Sequence, residues 1–191
     1  MKRDILIAGV GGQGILSLAY VLDNAALEAG LNFKQTEVHG MAQRGGGVIS
    51  HVRIADQTIY SDMVPKGQAD IILGVEPLEI LRYMEYLKPK GLIITNTEPF
   101  VNILNYPDIE EVKAAIKSYN HIFVEAAKLA KEAGSLHSQN MVLLGALSKF
   151  LPIDEAIITK WIENLFKAKG EKLVNLNFKA FKLGQETINT D

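Results

Sequence analysis

Apolar residues along the chain follow two rhythms that alternate. Short unbroken runs at Ile5-Leu6-Ile7-Ala8, Ile71-Ile72-Leu73-Gly74-Val75, Leu92-Ile93-Ile94-Thr95 and Ile122-Phe123-Val124 have the pattern of strands buried on both faces of a parallel sheet. Between these runs, apolar positions recur three and four residues apart. Ile15, Leu18, Leu22 and Ala25 predict a helix, with Gly30 placed to end it. Asn32 to Val38 predicts a second strand. Val48, Ser50, Val52 and Ile54 alternate with Ile49, His51 and Arg53 to predict a third, which Asp56-Gln57 is expected to turn into a short partner at Thr58-Ile59-Tyr60.

Farther along, Pro77 suits the first turn of a helix carrying Leu78, Leu81 and Leu87, closed by a turn at Lys88-Pro89-Lys90-Gly91. Thr97 to Pro107 is irregular. Helices are expected around Val112 to Tyr119, Ala126 to Ala133, Asn140 to Phe150 and Asp154 to Lys167, with a last one through Leu173, Leu176, Ala180 and Leu183. Trp161, at helical spacing with Ile158 and Leu165, is expected in the core. Strands alternating with helices predict an α/β fold: three layers, α/β/α, with a mostly parallel sheet and an inserted hairpin. No repeat or linker interrupts the pattern, and Lys167 to Lys172 is the only candidate hinge. The expectation is one domain over 1–191, with the helices at about 154–186 part of it.

Composition removes several classes of function. A net charge of −2, with Lys and Arg dispersed beside acids, is not that of a chain held to nucleic acid by bulk electrostatics. No apolar stretch approaches the roughly 20 residues of a membrane span. Met1 to Ile5 leads into a short apolar run without the longer stretch and cleavage site of a secretory leader, so the expected location is the cytoplasm. Cysteine is absent, so the chain can form no disulfide and offer no thiolate to an iron–sulfur cluster.

Two glycine-rich segments carry the candidate chemistry. Gly9-Val10-Gly11-Gly12-Gln13-Gly14 follows a predicted strand and opens a predicted helix, a context in which backbone N–H groups and a helix dipole attract a diphosphate. Glu37 lies near the end of the second strand, where dinucleotide-binding folds place the acid that holds a ribose. The same glycines also suit a tight strand-to-helix turn with no ligand, and both readings stay open. The second segment is Thr36-Glu37-Val38-His39-Gly40-Met41-Ala42-Gln43-Arg44-Gly45-Gly46-Gly47. Arg44 beside three glycines is a fixed positive charge next to free N–H donors, suited to a phosphate or carboxylate, or else a solvated surface arginine. His39 is either a proton carrier or a polar loop residue, Met41 a packing residue, and Asn140 a simple helix N-cap. The histidines at 39, 51, 121 and 137 make no metal-ligand spacing, and Ser50 has no nucleophile-elbow context.

The Gly-x-Gly-Gly-Gln-Gly-Ile turn, the Glu-Val-His-Gly-Met-Ala-Gln-Arg-Gly-Gly segment, the Ser-His-Val-Arg strand and the Asn140 to Ala146 helix together resemble the small subunit of 2-oxoacid:ferredoxin oxidoreductases. The resemblance spans Asp4 to about Leu151 and is nearest the branch acting on indolepyruvate and other aryl-pyruvates, because pyruvate- and 2-oxoglutarate-specific relatives differ around His39 to Gln43. It implies the α/β/α domain that larger enzymes of the group carry within one polypeptide, domain III of pyruvate:ferredoxin oxidoreductase. It also implies a reaction: oxidative decarboxylation of a 2-oxo acid with coenzyme A, giving an acyl-CoA, carbon dioxide and two electrons for ferredoxin. Thiamine diphosphate, Mg²⁺ and [4Fe-4S] clusters would sit in a larger alpha subunit, since this chain has neither cysteine nor the Gly-Asp-Gly signature usual for thiamine diphosphate. No catalytic or metal-binding residue is then expected on this chain, and the isolated chain should be inactive. Gly9, Gly11, Gly12, Gln13, Gly14, Glu37, His39, Gly40, Met41, Gln43, Arg44, Gly45, Gly46 and Asn140 would face coenzyme A, the substrate or the alpha subunit. Two other classes remain as alternatives: a stand-alone NAD(P)- or flavin-dependent dehydrogenase, and a non-enzymatic nucleotide-sensing module.

Overall fold

The computed structural model describes residues 1–40 and 45–188. Its centre is β1 (Lys2–Val10), in which Asp4 to Val10 are all buried. That is what a nearly unbroken apolar strand requires: neighbours on both edges and cover on both faces. β1 is followed by α1 (Ile15–Glu28), β2 (Asn32–His39), β3 (Gly47–Ala55), β4 (Ala69–Gly74), α2 (Pro77–Leu81) and β5 (Leu87–Asn96). The remaining elements are α3 (Ile109–Lys117), β6 (His121–Val124), α4 (Ala126–Ala133), α5 (Gln139–Ser148), α6 (Glu155–Phe166) and α7 (Glu171–Glu186). The six strands form one sheet in the order β2-β3-β1-β4-β5-β6, with β3 antiparallel to both β1 and β2 and the other pairings parallel.

Alternation along β1 divides the core. Ile5 and Ile7 join α1, α4, α5, α6 and α7 on one face, while Leu6 and Ala8 pack with Ile80 of α2 and Val112 and Ile116 of α3 on the other. The three-layer α/β/α arrangement follows. α5 has no polar stripe, and all of Asn140 to Ser148 is buried between the sheet and α7. Trp161 sits at the rim of this core, edge-on to Tyr20, its Nε1–H donating to Glu28 Oε2 at 2.8 Å.

Four sequence expectations change. The hairpin is made by β2 and β3, not by Thr58-Ile59-Tyr60, which form no strand. Just beyond that stretch, the chain is tied to β3 by the Arg53 guanidinium, whose Nη1 donates to Ser61 O at 3.0 Å and Met63 O at 3.1 Å while Nε binds the buried Asp4 at 2.8 Å. Carbonyls of Ser61 and Met63 taken by a side chain are not available to a ladder, and Tyr60 is left in solvent. The helix after Pro77 ends at Leu81, and Leu87 already belongs to β5. The turn expected at Lys88 to Gly91 is absorbed into β5 as an irregularity: Ala69 pairs with Leu87 but Ile71 with Leu92, and Lys90 takes φ +66°. Finally, Lys167 to Lys169 form a single 3-10 turn into α7, with Gly170 at φ +99°. Among the described residues no helix is long and apolar enough to cross a membrane.

Candidate functional site: two glycine loops at the switch point

Strands add to β1 in opposite directions, β3 and β2 on one side and β4, β5 and β6 on the other. In an open α/β sheet the crevice beyond the C-terminal strand ends at such a switch point is the favoured place for a ligand. Both glycine segments come to this end of β1. Gly12 and Gly14 have φ +103° and +80°, in the region that L side chains avoid. Gly12 opens onto empty space, whereas a Cβ at Gly14 would lie 2.5 Å from Asn140 Nδ2. Gln13 closes the turn on itself: Val10 N–H donates to Gln13 Oε1 at 2.8 Å, and Gln13 N–H to Val10 O at 3.1 Å. Gly9 makes room for this fold-back, since a Cβ there would sit 2.9 Å from that oxygen. α1 begins without a side-chain cap and without an acid in its first turn; Ser17 N–H is taken by Gly14 O at 3.1 Å, which leaves the two N–H groups before it for an anion.

The second loop is tied to the first. Gly11 N–H donates to Gly46 O at 2.9 Å, and Gly45 N–H to Gly11 O at 3.4 Å. Gly45 O accepts from Asn102 Nδ2 at 2.7 Å, and a Cβ at Gly47 would lie 2.6 Å from Glu79 Oε2. His39 and Gly40 are exposed at the end of β2, the His39 Nδ1–H donating to Gly40 O at 3.1 Å. Met41, Gln43 and Arg44 lie outside the described residues. Asn140 is the second residue of α5 rather than its N-cap, which is Ser138. Its Nδ2 donates to Gly14 O at 3.3 Å and its Oδ1 accepts from Met141 N–H at 2.9 Å, so it fastens α5 to the glycine turn.

Glu37 pairs in register with Ser50 of β3, and β3 separates β2 from β1. In a dinucleotide fold the strand carrying the ribose acid lies directly beside β1. Here it is two strand spacings away, roughly 9.5 Å. Glu37 and the glycine turn still line one pocket of about 390 Å³, together with His39, Leu16 and Val48. Glu37 Oε2 is buried there without a hydrogen bond among the described residues. On the other side of the turn, a cleft of about 550 Å³ runs between Gly12 to Gly14 and the start of α5, walled by Phe100, His137, Gln139 and Lys169.

Two buried acids back the second loop. Glu76, 1% exposed, caps α2 through Oε2, which accepts from Glu79 N–H at 2.9 Å. Its Oε1 accepts from Phe100 N–H at 3.3 Å and from the Tyr106 hydroxyl, whose own pKa is pushed up by burial and by this carboxylate. Burial likewise holds the Glu79 carboxyl above the usual carboxylate range; Arg82 counters this in part and Glu76 adds to it. Arg82 Nε lies 3.1 Å from Glu79 Oε2 but is not aligned to hydrogen-bond it. Among the described residues no three His, Asp or Glu side chains gather as a metal site.

The structure therefore brings together Gly9, Gly11, Gly12, Gln13, Gly14, Gly45, Gly46 and Asn140 as one connected surface, with Glu37, His39 and Gly40 at its edge. Sequence reasoning missed Glu76, Phe100, Asn102 and Tyr106. Three of them fall in the irregular stretch 97–107, where no periodicity marks an inward side chain.

With this geometry in view, the comparisons with known proteins are specific. Residues 4–187 match pyruvate ferredoxin/flavodoxin oxidoreductase. The chain belongs to this family. It is 43% identical to the indolepyruvate oxidoreductase subunit IorB of Pyrococcus horikoshii, over 96% of this chain and 94% of that one. The gamma subunit of a keto/oxoacid ferredoxin oxidoreductase from Geobacter sulfurreducens superposes with TM-score 0.73 at 25% identity, covering 99% of each chain. A 2-oxoglutarate:ferredoxin oxidoreductase from Magnetococcus marinus, solved with 2-oxoglutarate, coenzyme A and succinyl-CoA bound, shares the fold with TM-score 0.79 at 24% identity. All of this chain aligns with 31% of that longer one.

Proposed function

We propose that this chain is the small subunit of an indolepyruvate:ferredoxin oxidoreductase. The observation that carries the reading is the near end-to-end likeness to the indolepyruvate oxidoreductase subunit, at 43% identity over 96% of the chain. The proposed overall reaction converts a 2-oxo acid carboxylate and the thiol of coenzyme A into the acyl thioester and carbon dioxide. One C–C bond breaks, one C–S bond forms, and a proton and two electrons are released, the electrons to ferredoxin. Thiamine diphosphate with Mg²⁺ and the iron–sulfur clusters belong to the partner alpha subunit, where the thiamine would supply the carbanion chemistry. A chain without cysteine cannot offer a cluster its thiolates.

The part assigned to this chain is binding and closure. The open N-terminus of α1 and the glycine N–H groups suit the phosphates of coenzyme A or the carboxylate of the oxo acid. Arg44, adjoining Gly45 in sequence, would add a fixed positive charge to that surface. The longer Magnetococcus marinus enzyme of the same fold was solved with coenzyme A bound, which is consistent with this ligand class. The insertion of β3 between β1 and β2 speaks against the stand-alone dehydrogenase.

The experiment is to purify the tagged chain alone and with its alpha subunit, and to assay iron and thiamine in both. The reading expects both cofactors in the complex and neither in the isolated chain. Iron or thiamine bound stoichiometrically by the isolated chain would overturn it.

A further inference from the structure

Glu76 serves no ligand-facing role in this reading, yet it is the most connected acid near the site. It follows Val75, whose N–H donates to Ala8 O at 2.8 Å and so fixes the end of β4 against β1. Its carboxylate reaches in two directions. Oε2 holds the first turn of α2 through Glu79 N–H, and Oε1 takes both Phe100 N–H and the Tyr106 hydroxyl. The stretch between those two donors is thereby turned inside out. Asn102 and Tyr106 face inward, while Phe100, Val101, Ile103 and Leu104 are exposed by 47%, 68%, 41% and 104%. An arm with apolar side chains outward does not hold its shape by burial, because it has little to bury; polar anchors must hold it. The inward Asn102 then carries the constraint on, donating from Nδ2 to Gly45 O at 2.7 Å. Gly45 and Gly46 are in turn bonded to Gly11.

We infer that Glu76 is a positioning residue for the two glycine loops: acting through the 97–107 arm and Asn102, it sets where Gly45 and Gly46 sit against Gly11. By the same bond to Phe100 N–H it fixes one wall of the 550 Å³ cleft beside the glycine turn. No step of the chemistry passes through Glu76, which touches neither cavity. Its effect on turnover rests on the small-subunit reading proposed above; its effect on the loops does not.

Two variants test the relay. Glu76→Gln keeps one acceptor oxygen but presents an amide N–H₂ to donors, and Asn102→Ala cuts the link to Gly45 while leaving Glu76 intact. In the isolated full chain, hydrogen exchange at the Gly11 and Gly45 amides is expected to speed up at least tenfold in both variants, with amides of the central strand β1 before Val10 unchanged. The double variant should exchange no faster than the Glu76 variant, since both substitutions break one chain of contacts. In the complex, both variants should raise the KM for coenzyme A or the oxo acid several-fold, with kcat within about twofold of wild type. Unchanged exchange at Gly11 and Gly45 in a folded Asn102→Ala chain would overturn the positioning role. Faster exchange with wild-type KM would keep the role but show that these loops do not meet the substrates, which counts against the proposed function instead.

Discussion

Asn140 and Gly14, 126 residues apart in sequence, meet at the head of α1: Asn140 Nδ2 donates to Gly14 O at 3.3 Å from the second residue of α5. The same nitrogen stands 2.5 Å from where a Gly14 Cβ would be. A side chain at 14 would therefore meet a steric penalty on top of the left-handed backbone, which alone costs an L residue about 1–2 kcal/mol. Gly14→Ala is expected to destabilise the chain clearly more than Gly12→Ala, because Gly12 has a positive φ but nothing within 4 Å of an added Cβ. Urea denaturation of the two variants checks the order. Equal losses would mean that Asn140 yields freely.

Gly145 and Gly184 let α5 and α7 cross with their backbones in contact. A Cβ at Gly145 would fall well inside contact distance of Phe181 O, and one at Gly184 inside that of Val142 O. In an exposed helix, glycine to alanine gains about 1 kcal/mol of helix propensity. Here overpacking against a rigid carbonyl should reverse the sign, with Gly145→Ala losing about 1–3 kcal/mol. A rise in melting temperature would show that the two helices can separate without cost.

His51 is buried, accepts Val64 N–H at its Nδ1 at 3.1 Å and lies edge-on to Tyr86. Burial lowers its pKa below the ordinary 6.5, with Asp62 opposing and Arg53 reinforcing the shift. The unfolded chain thus binds the proton more readily. The contribution is complete above pH 6.5 and is lost as the pH falls from there through the folded value. The slope from this one group is at most about 1.4 kcal/mol per pH unit. His51→Asn, which keeps an acceptor near Nδ1, should flatten the stability profile below pH 6.5. A profile as steep as wild type would assign the loss to other groups.

Arg44→Ala is expected to damage the assembled enzyme more than the fold. A charge in a polar, glycine-rich segment contributes little to the core, so the melting temperature should barely move. Losing a charge-assisted bond to a phosphate, a carboxylate or an acid of the partner costs about 1.5–3 kcal/mol. That is roughly ten- to a hundredfold in subunit affinity or in kcat/KM. Arg44→Lys should recover only part of this if the contact is bidentate. Wild-type assembly and kinetics in Arg44→Ala would make this arginine a solvated surface charge.

Much of the architecture was legible because buried parallel strands and amphipathic helices leave different periods in the sequence. Ile5 to Ala8 and Leu92 to Thr95 show the first, and Ile15 to Ala25 the second. What was not legible depends on partners distant in the chain. Nothing local tells β3 to run antiparallel between β1 and β2, yet that insertion is what moves Glu37 away from the glycine turn. Thr58 to Tyr60 has strand-forming residues, but the Arg53 side chain takes their neighbours' carbonyls. At the site, the glycines announced themselves by number, whereas Asn102 reaches Gly45 from 57 residues away out of a stretch with no regular pattern. Asn140 reads from its neighbours as a helix N-cap, and only the fold shows that it fastens Gly14.

The central claim is that this chain completes an enzyme whose redox chemistry lies in a partner. The most direct measurement is steady-state turnover of indolepyruvate with coenzyme A and oxidised ferredoxin, by the alpha subunit loaded with thiamine diphosphate, Mg²⁺ and clusters, titrated with this chain. The account expects no turnover by this chain alone, little by the alpha subunit alone, and activity that rises with added chain and saturates at a fixed stoichiometry. Turnover by the isolated chain, or full activity of the alpha subunit without it, would contradict the account.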